Sequence, residues 1–190
     1  MDDSLHETFW AWALNRYEAR ALRDCLLALQ DSSGLVVVQA LLYAWLAERG
    51  RQLTSDEVRA LERTMAPWVA HILQPLRRQR VVWRDGEASK RLYTEALKLE
   101  LEAEKALAKL LCDCLAPPYS GSVPISAGSN LCLITALSAP DDLDSLIAAF
   151  GQYPRRFQAR SMRFSFTNTQ DNLPCLKRVF SRELNFGSQR

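Results

Sequence analysis

The sequence predicts an all-α protein: a compact bundle of five or six helices, followed by a linker and a basic, loosely ordered C-terminal tail. Three observations carry this. Apolar residues recur with helical period in successive stretches between residue 4 and about residue 115. Two of those stretches open on a capping-box pattern. The longest apolar run, Leu35 to Ala47, is broken only by Gln39 and is too long for an ordinary strand.

The first helix opens on Ser4 and Glu7, spaced as a capping box, and carries the stripe Phe9, Trp10, Ala13, Leu14 and Tyr17. A second, roughly Ala19 to Gln30, presents Leu22, Cys25, Leu26 and Leu29, and Gly34 can take the left-handed conformation that ends a helix. Leu35 to Arg49 is apolar nearly all round, which predicts the central helix with neighbours on several sides. The valines Val36 to Val38 admit a rival reading as a buried strand, against which stand the length and the terminal Gly50.

Thr54 and Glu57 form a second capping box, opening a helix with Val58, Leu61 and Met65 on its inner face. Pro67 is expected to begin another helix, and Pro75 to kink it, before Asp85-Gly86 ends it. The longest helix runs from Glu87 to about Leu115. Leu92, Ala96, Leu99, Ala103, Leu107 and Leu110 form a near-heptad seam along it.

Ala116 to Asn130 holds three prolines, two glycines and four serines and reads as a linker. Asp141 to Phe150 reads as one last helix, with Pro140 before it and Gly151 after it. A short strand is conceivable at residues 163–167. The organisation expected is therefore a bundle domain at 1–115, a linker with a short helix at 116–150, and a basic aromatic tail at 151–190.

Charge divides along the same line. Residues 1–150 hold 16 Lys+Arg against 20 Asp+Glu, a balance of −4, while residues 151–190 hold 8 against 2, a balance of +6. All five tryptophans lie before residue 84. The five cysteines are scattered, and Cys112 and Cys114, two apart on a helix, make a poor disulfide pair. With acidic Asp2 and Asp3 at the start rather than a signal peptide, and no run of about 20 apolar residues, a cytoplasmic chain without a transmembrane segment is expected.

Chemical motifs are sparse. His6 and His71 have no cysteine nearby, so neither a metal nor a cofactor is expected. No nucleophile elbow, P-loop or dinucleotide fingerprint occurs, and no catalytic residue can be assigned. Glu100 and Glu104 share a helix face, which admits a divalent ion but suits a solvated charged face better. Arg77, Arg80 and Arg84 also share a face and could grip an anionic partner, the alternative being pairs with Glu95 or Glu100. In the tail, Arg155, Arg156, Arg160 and Arg163 interleave with Phe157, Phe164 and Phe166, a composition suited to single-stranded nucleic acid, an acidic protein or an anionic membrane surface.

Several packing motifs fall in a familiar order. They are Phe9-Trp10-x-Trp12-Ala13-Leu14-x-x-Tyr17, then Cys25 to Asp31, then Leu41-Leu42-x-x-Trp45-Leu46-Ala47-x-Arg49-Gly50. Pro67-Trp68, Pro75-Leu76-Arg77 and Leu99-x-Leu101-Glu102-Ala103-Glu104 follow. The stretch from Phe9 to Leu111 resembles a small proteobacterial family of uncharacterised helical proteins, a domain of unknown function. It departs at Leu35 to Val38, where a polar Asn would be expected near Val38, and its tail after Phe150 is longer than usual. The resemblance implies an α-helical bacterial protein and brings no catalytic residue. The function expected is a non-enzymatic helical adaptor that binds another protein. The alternatives are a nucleic-acid accessory protein acting through the tail and an enzyme whose site is not visible in the sequence. Oligomeric state is left open.

Overall fold

The computed structural model describes residues 3–84 and 89–151 of the chain. The helices are α1 (Asp3–Tyr17), α2 (Arg20–Ser33), α3 (Val37–Glu48), α4 (Ser55–Trp68), α5 (Gln74–Arg84), α6 (Lys90–Asp113), α7 (Gly128–Leu131) and α8 (Pro140–Gly151). A π-helical turn, Val69–Leu73, joins α4 to α5, and a 3-10 turn, Thr135–Leu137, precedes α8. No strand occurs among the described residues, so Val36 to Val38 do not form a sheet.

α3 is the axis of the bundle. Every residue from Val37 to Ala47 is buried, with Trp45 only 2% exposed and Leu42 and Leu46 wholly enclosed. A helix with no polar face is stable in water only when covered on all sides. Leu35 and Val36, expected in this helix, are instead buried in extended backbone before it, where Gly34 at φ 72° has just ended α2. Gly50, at φ 75°, closes the other end in a Schellman arrangement. Its N–H bonds Ala47 O at 2.9 Å, and the Arg51 N–H returns to Leu46 O at 2.8 Å.

Each neighbour is fastened to α3 or its flanks. On α1, Phe9 meets Trp45 at 5.5 Å between ring centroids, the Trp12 indole N–H donates to Glu48 at 3.0 Å, and Arg16 pairs with the same carboxylate. This helix begins at Asp3, so Ser4 lies inside it rather than capping it. The Thr54–Glu57 capping box is formed as expected at the start of α4. The Trp68 indole N–H then ties α4 to α6 through Ala103 O at 3.1 Å.

Pro67 does not begin a helix. α4 runs through it, and the wide turn Val69–Leu73 follows. A π turn re-spaces the carbonyls ahead of Pro75, whose ring would otherwise meet the carbonyl four residues back. The helical stretch from residue 55 to residue 84 is thus continuous through both prolines, with a π turn where Pro75 was expected to disturb it.

Residues 116–130 are not a free linker. The Gly121 N–H donates to Arg49 O at 2.7 Å and the Ile125 N–H to Ala47 O at 2.9 Å. Gly50 and Gly121 cross so closely that a Cβ on either would strike the backbone of the other segment, Val123 O in one case and Gly50 O in the other. Arg49 and Arg51 add bonds to the carbonyls of Tyr119 and Ala116. Asn130, completely buried, completes the seam: its Oδ1 accepts from the Leu53 N–H at 3.0 Å, and its Nδ2 donates to Tyr43 O at 3.1 Å and Arg51 O at 2.9 Å. Beyond it Leu131, Ile134, Leu137, Leu146 and Phe150 join the same core as α1–α6. One core therefore spans the boundary expected at residue 115.

No described helix is long and apolar enough to cross a membrane. The expected strand at 163–167 and the tail lie outside the described residues.

Asn130→Ala leaves the buried Leu53 N–H and the Arg51 carbonyl without this partner, each costing about 1–3 kcal/mol, while the Tyr43 carbonyl keeps its helical bond. A loss of about 3 kcal/mol or more is expected in urea unfolding, where Ser129→Ala, beside it in the chain, should change little.

Candidate functional site

Two places in the described residues combine polar chemistry with access: the α5–α6 hairpin and a cleft beside α3. In the hairpin, α5 packs on α6 and on the π turn before it, and buries none of its own residues fully. Tyr93, Ala96 and Leu97 on α6 are buried, yet they stand apart from the main core cluster. The outer part of the hairpin is therefore held by its own contacts.

Those contacts include a network of ion pairs. The Arg77 Nε–H donates to Glu100 at 2.9 Å and its Nη2 to Glu104 at 2.8 Å, while the Arg80 Nε–H donates to the second Glu100 oxygen at 2.6 Å. Burial alone would lower the Arg80 pKa, but the Glu100 charge and hydrogen bond, with Tyr93, hold it above the ordinary arginine value. Burial raises the Glu104 carboxyl above the usual range, and the Glu100 charge adds to this while Arg77 opposes it. Arg77 and Arg80 are thus engaged inside the hairpin, and Glu100, only 8% exposed, is neither a solvated surface charge nor half of a bare acidic pair. Arg84 sits exposed at the end of α5. Arg155, Arg156, Arg160 and Arg163 lie outside the described residues.

The leucine seam expected on α6 is only half buried. Ala96 and Leu107 face inward, but Leu92 is 47% exposed and Leu99 58%, with Leu110 at the margin. The buried stripe, Tyr93, Ala96, Leu97, Glu100, Leu107, Ala108, Leu111 and Cys112, is rotated from it. The cause is Glu100: counting only apolar residues hides a buried carboxylate that takes a core-facing position. Burial also pushes the Cys112 thiol up to about 12, so it is a poor nucleophile.

The cleft lies where α2 ends, α3 begins and α4 passes the 3-10 turn. Its volume is about 190 Å³, and Gly34, Val36, Gln39, Glu62, Met65, Thr135 and Ala136 line it. The Thr135 hydroxyl donates to Glu62 at 2.9 Å, and the Gln39 amide reaches the Tyr43 hydroxyl at 3.4 Å. Burial raises the Tyr43 pKa, with a further push from the Glu62 charge. Of the polar residues here only Gln39 stood out in the sequence, as the one polar interruption of the apolar run. Glu62 and Thr135 are 73 residues apart and only the fold joins them. No group of three or more His, Cys, Asp or Glu able to hold a metal occurs among the described residues.

A family model described as a protein of unknown function, DUF2390, matches residues 8–111. No curated protein and no solved structure matches the chain.

Replacing Glu100 by Gln strips Arg80 of its countercharge and leaves Arg77 with Glu104 alone, and should cost about 2–4 kcal/mol in denaturant unfolding. Glu104→Gln should behave oppositely. Its folded-state pKa is raised, so the ionised carboxyl costs stability above that value, and the cost fades as pH falls toward the ordinary 4.5. Glu104→Gln is therefore expected to match or exceed the wild type near pH 7, with any advantage gone by about pH 4. Thermal unfolding across that range measures both variants.

Proposed function

The chain belongs to the DUF2390 family of proteins of unknown function, and we propose that its helical body is a non-enzymatic adaptor in a bacterial cytoplasmic protein, binding a partner protein through the outer half of the α5–α6 hairpin. The observation that carries this reading is the exposed pair Leu92 and Leu99. Seven residues apart, they lie on one face of α6, in the spacing with which one helix packs along another. Ala96, one turn from Leu92 on the same side, is already buried, so the exposed pair continues an apolar surface rather than standing alone. The partner that fits is an amphipathic helix with leucine-like residues at i and i+7 and charges flanking them to meet Glu95, Lys98 and Glu102.

The wild type is expected to retain a partner at stoichiometric level from cell lysate. Leu92→Glu/Leu99→Glu should lose it, with an unchanged far-UV spectrum and little change in melting temperature, since both side chains are about half exposed already. Equal recovery by the double variant contradicts the reading. Concentration-dependent mass in sedimentation, lost in the same variant, makes the partner a second copy of the chain.

A second reading rests on the +6 balance of residues 151–190: an accessory protein that binds single-stranded nucleic acid through the tail. Replacing Arg155, Arg156, Arg160 and Arg163 by Ala should then remove most of a steeply salt-dependent affinity for single-stranded RNA. Retention of that affinity in the variant overturns it.

A further inference from the structure

We infer that the cleft between α3, α4 and the 3-10 turn is a binding site for an alkylammonium group, with Glu62 as its counter-ion and Gln39 as a hydrogen-bond acceptor. The inference starts from a residue that a protein-docking hairpin leaves unused. Gln39 is 4% exposed in a helix otherwise without a polar core residue apart from the Tyr43 hydroxyl. An amide buried there is unfavourable unless its hydrogen bonds are made. Among the described residues its side chain makes one, the 3.4 Å contact from Nε2 to Tyr43, at the long limit for such a bond. Its carbonyl oxygen bonds no described residue and yet is not a fully enclosed orphan, so it opens onto the cleft that Gln39 lines.

Glu62, half-buried beside it, brings a negative charge to the cleft. One oxygen accepts from Thr135, and no ion pair reaches the carboxylate among the described residues. No cationic side chain lines the cleft. The polar wall is therefore rich in acceptors and negative, whereas Val36, Met65 and Ala136 give an apolar wall beside it. An ammonium supplies three N–H donors and a positive charge, and a short alkyl stem suits the thioether and methyl groups. A carboxylate or phosphate would meet Glu62 with like charge, and a purely apolar ligand would leave Gln39 and Glu62 unpaired. The volume of about 190 Å³ limits the occupant to a small amine or to the end of a lysine side chain.

Titration of the isotope-labelled full chain with n-butylamine, followed by amide and side-chain NMR, tests this. Saturable shifts at Gly34, Gln39 and Ala136 are expected, with a dissociation constant of about 1 mM for so few ligand atoms. The neutral isostere n-butanol should bind about tenfold more weakly, because it lacks the charge that Glu62 recognises. Glu62→Gln should remove the preference for the amine while leaving distant amides unshifted. No saturable shift at those residues, or equal binding of butanol and butylamine by the wild type, overturns the inference, and this comparison needs no variant to fold. A capped glycyl-lysyl-glycine peptide separates the sources. Binding as tight as butylamine assigns the ammonium to a partner's lysine, and exclusion of the peptide assigns it to a free amine.

Discussion

A helix with no polar face dictates the architecture. α3 runs through the middle of the protein with every residue from Val37 to Ala47 buried, so the elements packed on it, α1, α2, α6 and α7, are positioned by the need to cover it. α1 covers one side through Phe9 and ties itself to Glu48 at the helix end through Trp12 and Arg16. α6 brings Leu107, Ala108 and Leu111 to the same core, and the segment after residue 115 supplies Leu131 and Ile134. Asn130 makes that last attachment specific. A buried amide with three backbone partners has few alternative placements, because any shift leaves polar groups unpaired. The close crossing of Gly50 and Gly121 fixes the same register by steric means.

The α5–α6 hairpin obeys different physics. Away from the core it is held by Arg77 and Arg80 gripping Glu100 and Glu104, with aliphatic residues left in solvent. Ion pairs of this kind set geometry well but add modest net stability, because each charge gives up hydration to form them. The outer hairpin should accordingly open at a lower free energy than the core, which suits an element that docks against something else.

Much of the fold was legible in the residues. The length of the Leu35–Ala47 run excluded a strand, the Thr54–Glu57 box marked a helix start, and Gly34 and Gly50 marked helix ends, all local signals that the packing left intact. Signals whose meaning depends on distant partners were misread. Pro67 fits a first helical turn as well as it fits the last turn of α4. The Pro, Gly and Ser content of residues 116–130 correctly indicated irregular backbone but could not show that Arg49, Ala47 and Asn130 fasten it down. The phase of α6 was shifted because a carboxylate occupies a core-facing position, which hydrophobic periodicity cannot register. The cleft was the least legible part: Gln39 was visible as an anomaly, yet nothing local linked it to Glu62 or Thr135.

The stitching of residues 116–130 onto α3 and its end requires that this segment and the central helix open together. Native-state hydrogen exchange on the full chain reads this directly at the Gly121 and Ile125 amides, which donate to Arg49 and Ala47. These two amides should exchange with the same opening free energy and denaturant dependence as the α3 amides of Leu42 to Leu46, through global unfolding. Exchange at Gly121 and Ile125 about a hundredfold or more faster than in α3, insensitive to denaturant, would mean that the segment detaches while the helix stays covered, contradicting a single cooperative core.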